Sequence, residues 1–286
     1  MHPITLRLSA FADESDNRLE GQIAALHRNQ LSLLEIRNLN GRNVTDLTDA
    51  EVRDAAALLR AEGIRVWSIG SPLGKVDIGV DPAQYLDKVR RTCDIAAGFG
   101  CDKIRMFSFF NAYDEPERVF DYLRQTVELG RSRGILMCHE NEKKIYGDVL
   151  SRNLELLDRV EGLQYVYDPA NFLQVGEKAE DTLRALQDRA CYFHIKDVIS
   201  ATEELVPAGC GDGHIAELVS GIQEDKVLSV EPHLAVFKGY AEIDGTALKN
   251  KYRFASKEEA FDTAVRALKD ILRRAGYTEQ EGAFVK

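Results

Sequence analysis

The sequence of 286 residues is short of the features that mark several large protein classes. No stretch approaches the roughly 18 consecutive apolar residues of a membrane span. The N-terminal MHPITLRLSAFADESD has no basic segment leading into an apolar one, the pattern of a secretory signal. There is no CxxC pair, and the five cysteines (Cys93, Cys101, Cys138, Cys191, Cys210) are odd in number and scattered. They read as reduced thiols of a cytoplasmic protein, most of them small core residues. No long basic block occurs and the net charge is −10. Nucleic acid carries dense negative charge, so it is a poor expected partner, and no membrane partner is expected either. GxGxxG is absent. The end of the first apolar run, SAFADES, offers no glycine-rich phosphate turn, which argues against a doubly wound open sheet.

What is present is an alternation. Hydrophobic residues make up 44%, enough for a sizeable core. Eight apolar runs recur: LRLSAFA (6–12), LLEIRNL (33–39), IRVWSIG (64–70), KIRMFSFF (103–110), ILMCHEN (135–141), LQYVYDP (163–169), CYFHIKD (191–197) and VLSVEPH (227–233). Between them lie helical patterns such as NRLEGQIAALHRNQ, DAEVRDAAALLRAEG and PAQYLDKVRRTCDIAAGFG, and KEEAFDTAVRALKDILRRAG supplies an eighth. Several end in the glycine expected of a helix C-cap: AEGI, GFGC, SRGI. Strand–helix alternation repeated eight times predicts an α/β fold, a (β/α)8 barrel, as one domain over residues 1–286.

Catalytic groups of such a barrel come from the C-terminal strand ends. The fifth run ends in His139, Glu140, Asn141 and Glu142, and the sixth in Asp168 followed by Asn171. The seventh ends in His194, Lys196 and Asp197, and the eighth in Glu231, Pro232 and His233. Four consecutive strands thus deliver Glu140, Asp168, His194 and Glu231, spaced by about one strand–helix unit each. Isolated, each reads equally well as a strand-end group paired to a loop. Together, three carboxylates and one imidazole suit one divalent metal ion: Mn, Mg or Co, with Zn also compatible.

The segments ENE, YDPANF, FHIKD and SVEP resemble the xylose isomerase-like TIM-barrel superfamily, as do FADE, LEIR, SPLGK and the VPAGCGDGHI loop. That superfamily includes sugar isomerases, ketose 3-epimerases, inosose dehydratases, hydroxypyruvate isomerases and endonuclease IV. The resemblance implies that Glu140, Asp168, His194 and Glu231 bind the metal and that Glu140 and Glu231 are also the catalytic acid/base pair. It implies proton abstraction next to a carbonyl, through an enediolate, on a keto-sugar or related small polyol. A metal-dependent dehydratase acting on a keto-inositol-like or keto-sugar substrate needs the same groups. An endonuclease IV-type nuclease needs three metals and many histidines, whereas this chain has six His. Many epimerases of the group carry a His three residues after the Asp ligand. Here Asn171 stands there and is expected to touch the substrate. Members are often homo-oligomers.

Arg37, Lys75, Arg105, Lys143, Lys196 and Lys238 lie at or beyond the same strand ends. They would either bind a substrate phosphate or carboxylate or neutralise the acids around the metal. Lys196 shares a face with His194 by period-two alternation, and Asp197 should face away and orient a neighbouring side chain. Glu35 and Arg37 share a face and are expected to pair under the pocket, with Asp13 and Glu14 as weaker candidates for hydrogen bonding. His139 and His233 read as residues that support a neighbouring ligand or pack, rather than as ligands, His2 and His27 as surface, and His214 as a loop residue within reach of the site. Trp67, Phe107, Phe109, Phe110 and Phe172 would line a sugar pocket or fill the core.

Overall fold

A computed structural model describes residues 3–235, 252–280 and 282–286. Eight parallel strands follow the eight runs: β1 (Thr5–Ala10), β2 (Leu33–Ile36), β3 (Arg65–Gly70), β4 (Lys103–Met106), β5 (Leu136–Glu140), β6 (Gln164–Tyr167), β7 (Tyr192–Ile195) and β8 (Lys226–Val230). Each pairs with the next in sequence from β2 to β8, and β8 pairs with β1 in register Leu8↔Leu228. The sheet therefore curls through a full turn, with β1 and β2 at its seam.

The seam departs from a plain eightfold ring. Two further strands, β9 (Thr278–Gln280) and β10 (Ala283–Val285), form a hairpin, and β10 runs antiparallel to Thr5–Arg7. It takes the lower half of the β1 edge that faces β2, so hydrogen-bonding groups there are satisfied by the chain end. Higher up, side chains bridge the gap: Arg37, just past β2, donates to Asp13 beyond β1 at 3.0 and 3.1 Å.

Helices cover the outer face: α1 (Leu19–Arg28), α2 (Asp49–Ala61), α3 (Pro82–Phe99), α4 (Pro116–Arg131), α5 (Leu150–Arg159), α6 (Ala179–Leu186), α7 (Ile215–Gly221) and α8 (Lys257–Arg274). Local sequence sets their limits. Thr48 and Glu51 form a reciprocal capping box on α2. Asp81 caps α3, Pro82 opens it, and Gly100 at φ 67° ends it in the left-handed region. The helices bury Val89, Ile95, Phe120, Leu123, Val265 and Leu268 against the strands, which is the main core. Of the cysteines, Cys93, Cys101 and Cys138 are buried, Cys191 is half-buried and Cys210 exposed, all as free thiols. No helix among the described residues is long and apolar enough to cross a membrane.

One run is shorter as a strand than its composition suggests. KIRMFSFF leaves the sheet after Met106, and Phe107, Phe109 and Phe110 donate their amides to Leu73, Gly74 and Val76 in the loop after β3. Phe109 turns at φ 71° to do so. The close approach depends on Gly74: a Cβ there would lie 2.1 Å from the Phe107 carbonyl oxygen, at φ 82°. Gly74→Ala is expected to cost on the order of 2 kcal/mol, because both strain and a backbone clash oppose it. A lower midpoint in urea unfolding is the check, and an unchanged midpoint would contradict the packing described.

Candidate metal and substrate site

Glu140 is the last residue of β5, Asp168 and Glu231 directly follow β6 and β8, and His194 lies within β7. All four are buried, and one ligand atom from each lies within 4.8 Å of the others. His194 Nδ1 sits 3.0 Å from Glu140 Oε1 and 3.1 Å from Glu231 Oε2. Lys196 Nζ lies 2.9 Å from Asp168 Oδ2. Despite this crowding, Asp168 Oδ2, His194 Nδ1 and Glu231 Oε2 all lack a well-directed hydrogen bond, as does Arg105 Nε beside Glu140. Buried polar atoms without a hydrogen bond are rare, and these four converge on one point. Three such atoms are lone-pair donors, and the donor set of carboxylates plus one imidazole fits a divalent cation.

The local sequence aims these atoms. Asp168 caps the short helix Pro169–Leu173, its Oδ1 accepting from Ala170 and Asn171 amides at 2.8 and 3.1 Å, which leaves Oδ2 facing the site. Asn141 ties β5 to β6 by accepting from the Asp168 amide at 3.0 Å and donating to its carbonyl at 2.8 Å. Arg105 Nε lies 3.1 Å from Glu140 Oε2, and Asn171 donates to Glu140 Oε1 at 3.3 Å. Arg37 donates to Glu231 Oε1 at 2.9 Å.

Electrostatics follow from burial and crowding. Burial pushes the Asp168 carboxyl up to about 6, against the pull of Lys196. Burial would lower His194, but Glu140, Glu35 and Glu231 hold it well above its ordinary value. Burial alone would raise Glu231, yet His194 and Lys196 bring it well below the usual carboxylate range. A cation binding here displaces protons from Asp168 and His194, so its affinity should rise as pH increases from about 5 to 8. Calorimetric titration of Mn²⁺ in buffers of differing ionisation heat would register the released protons. Affinity flat over that range would contradict the assignment.

The cluster opens into a cavity of about 480 Å³. Its walls include Phe107, Phe110, Lys75, Arg105, Lys196 and His233. The cations expected at the rim are largely matched by acids. Lys75 lies 2.8 Å from Glu142, and its ammonium sits 4.4 Å from the Phe107 ring centre. Arg37 binds Asp13, Glu14 and Glu231 and stacks over Phe11 at 4.4 Å. Lys143 reaches Gln174 at 3.5 Å. Lys238 and His2 lie outside the described residues. Asn171 is fully buried against Glu140 and Asn141.

Several expectations need correction. Glu35 does not serve Arg37 as supposed: it accepts from Tyr192 at 2.8 Å and Ser229 at 2.7 Å and lies 3.1 Å from His194 Nε2, while Arg37 turns to the β1 acids. Asp197 orients a backbone rather than a side chain, accepting the amides of Val198, Gly209, Gly211 and Gly213, and so it folds the GCGDG loop. His233 sits beside Glu231, the first of the two places expected for it. At φ 48° it turns back, lies 3.5 Å from Glu231 Oε1 and lines the cavity. His139 does pack: it bonds Ser108 at 2.9 Å, and burial drives it down to about 3. His27 is exposed, and His214 lies within 3.8 Å of Glu180 and Glu217. Phe109 and Phe172 are core, and Trp67 packs near Tyr192 under the barrel, away from the cavity lining.

Residues 31–242 match the family model described as xylose isomerase-like TIM barrel. The chain belongs to this family. Solved structures of the same fold include an L-ribulose 3-epimerase, 16% identical over 96% of this chain and 97% of its own, with a TM-score of 0.70. A probable 3-DHS dehydratase, AsbF, from Bacillus anthracis is 15% identical over 92% and 98%, with a TM-score of 0.69. IOLI protein with a bound zinc atom is 15% identical over 94% and 99%, with a TM-score of 0.70. At such identities the likeness to these xylose isomerase-like structures is one of fold. No curated protein matches the chain significantly.

Proposed function

We propose that the chain, read as one barrel domain over residues 1–286, is a divalent-metal-dependent isomerase or epimerase acting on a keto-sugar or related small polyol. The observation that carries this is the pair Glu140 and Glu231, reaching one point from strands three places apart and opening onto a cavity of sugar size. Two carboxylates so placed can remove a proton from the carbon beside a carbonyl and return one to a neighbouring position. Glu140, Asp168, His194 and Glu231 would hold the cation. Bound there, it would polarise the carbonyl and offset the charge of an enediolate. Arg105 and Arg37 each hold the outer oxygen of one Glu, which aims both carboxylates inward. Lys196 adds a fixed positive charge, since Asp168 and Glu231 outweigh the effect of burial and keep its pKa well above the ordinary value. Phe107 and Phe110 give the substrate's C–H face an apolar wall. The IOLI zinc and the D-allulose complex of a Methylomonas 3-epimerase, 15% identical, support the reading by analogy of fold.

A dehydratase is the second reading, favoured by Asn171. Where many epimerases of the family carry a substrate-contacting His, this side chain is spent on Glu140. NMR of metal-loaded protein with free ketoses and with 2-keto-inositol separates the two. Interconversion of ketoses with solvent deuterium entering beside the carbonyl is expected. Loss of water from the keto-inositol instead would favour the lyase, and no deuterium uptake by any of these substrates would count against both.

A further inference from the structure

We propose that Glu35 is a positioning residue that holds His194 with Nδ1 turned to the cation position. The proposal rests on the metal reading above and adds a residue to it. Glu35 lies inside the apolar strand β2 and is fully buried. A carboxylate so placed is costly unless its lone pairs are used. They are: Oε1 accepts from Tyr192 OH at 2.8 Å, and Oε2 accepts from Ser229 Oγ at 2.7 Å and faces His194 Nε2 at 3.1 Å. Tyr192 OH is in turn 3.2 Å from Ser68 Oγ. Strands β2, β3, β7 and β8 thus tie one network beneath the site.

The chemistry of that network has a direction. An ionised carboxylate accepts only, so Nε2 must be the donor. In the neutral ring this puts the proton on Nε2 and the lone pair on Nδ1. Nδ1 is the atom that sits between Glu140 and Glu231 without a well-directed hydrogen bond. A carboxylate behind a histidine also raises its strength as a ligand. Glu35 therefore sets both which nitrogen faces the cation and how strongly it binds.

Zinc alone, titrated by calorimetry into chelator-stripped protein, tests this. Glu35→Gln is nearly isosteric, and Tyr192 can turn its hydroxyl towards Ser68 to accept from the new amide. We expect a folded variant that binds zinc 10- to 100-fold more weakly, as loss of such an outer partner typically does. In ¹⁵N-labelled, zinc-loaded protein, the His194 Nε2–H resonance should move upfield relative to wild type. Ser229→Ala, which removes one donor from Glu35, should weaken zinc less but in the same direction, and it decides the matter if Glu35→Gln does not fold. Wild-type affinity in a folded Glu35→Gln, or in Ser229→Ala should that variant alone fold, overturns the role of Glu35 and leaves the metal reading standing. A wild-type protein that binds neither Zn²⁺ nor Mn²⁺ overturns both.

Discussion

Glu231→Gln is expected to slow exchange of the substrate proton beside the carbonyl by roughly 10²–10⁴-fold, the usual cost of losing a general base. Gln keeps the size of Glu and one oxygen, so the fold should survive. Arg37 will select that oxygen, because Nη1 already donates to Glu231 Oε1 at 2.9 Å. The amide NH2 then points at the position now held by Oε2, 3.1 Å from His194 Nδ1. It can neither accept a proton nor bind a cation there, so weaker metal binding adds to the loss. Glu140→Gln is the matched case on the other side: the Arg105 cation favours the oxygen at the Oε2 position, which puts the NH2 at the Oε1 position facing His194 Nδ1 and takes the acceptor from Asn171. Solvent deuterium incorporation at saturating metal separates the chemical step from metal loss. Near-normal exchange in both variants would show that neither residue is the base, whatever binds at the site.

The barrel was legible because its signal is repetitive. Eight apolar runs bounded by capped helices survive errors of a residue or two at each end, and the strand starts fall within two residues of the runs. The four clustered residues were legible for a related reason. Glu140, Asp168, His194 and Glu231 each stand at or near the C-terminal end of an apolar run, and parallel strands bring those ends to one rim. What lay outside that reach was anything set by contact between distant strands. Glu35 shares a strand face with Arg37, so sequence proximity suggested a pair, yet its partners are 157 and 194 residues away. The rule that a charge inside an apolar run needs a partner applied to Glu35 as well and would have marked it. A place for His233 beside Glu231 was legible, but the backbone turn at φ 48° that brings it back over the cavity was not, because neighbouring residues do not announce that conformation. The β9–β10 hairpin at the β1–β2 seam was invisible because three-residue strands carry no periodicity.

Stripping divalent cations with a chelator is expected to abolish turnover while leaving a folded protein, with turnover restored on adding metal back. The folded part of that expectation comes from the internal pairing of the site. Asp168 faces Lys196 at 2.9 Å, Glu140 faces Arg105 at 3.1 Å and Glu231 faces Arg37 at 2.9 Å, so no carboxylate is left without a cation when the metal is gone. The site differs in this from structural zinc sites, where removing the ion removes the fold. Binding should still stabilise. At a free metal concentration 100 times Kd the gain is about 2.7 kcal/mol. For a chain of this size that corresponds to a rise in Tm of roughly 4–5 °C. Asp168→Asn isolates the source of the rise. Its side-chain oxygen can still cap the Pro169–Leu173 helix through the Ala170 and Asn171 amides, so the local fold is kept. Its NH2 replaces Oδ2 and faces the cation with the wrong charge. The metal-dependent rise should therefore vanish in Asp168→Asn, while the stripped variant still unfolds in one cooperative transition. A rise equal to that of wild type would mean that the stabilising ion binds elsewhere on the barrel. No rise in wild type at millimolar Mn²⁺, Co²⁺ or Zn²⁺ would remove the metal from the proposed chemistry altogether.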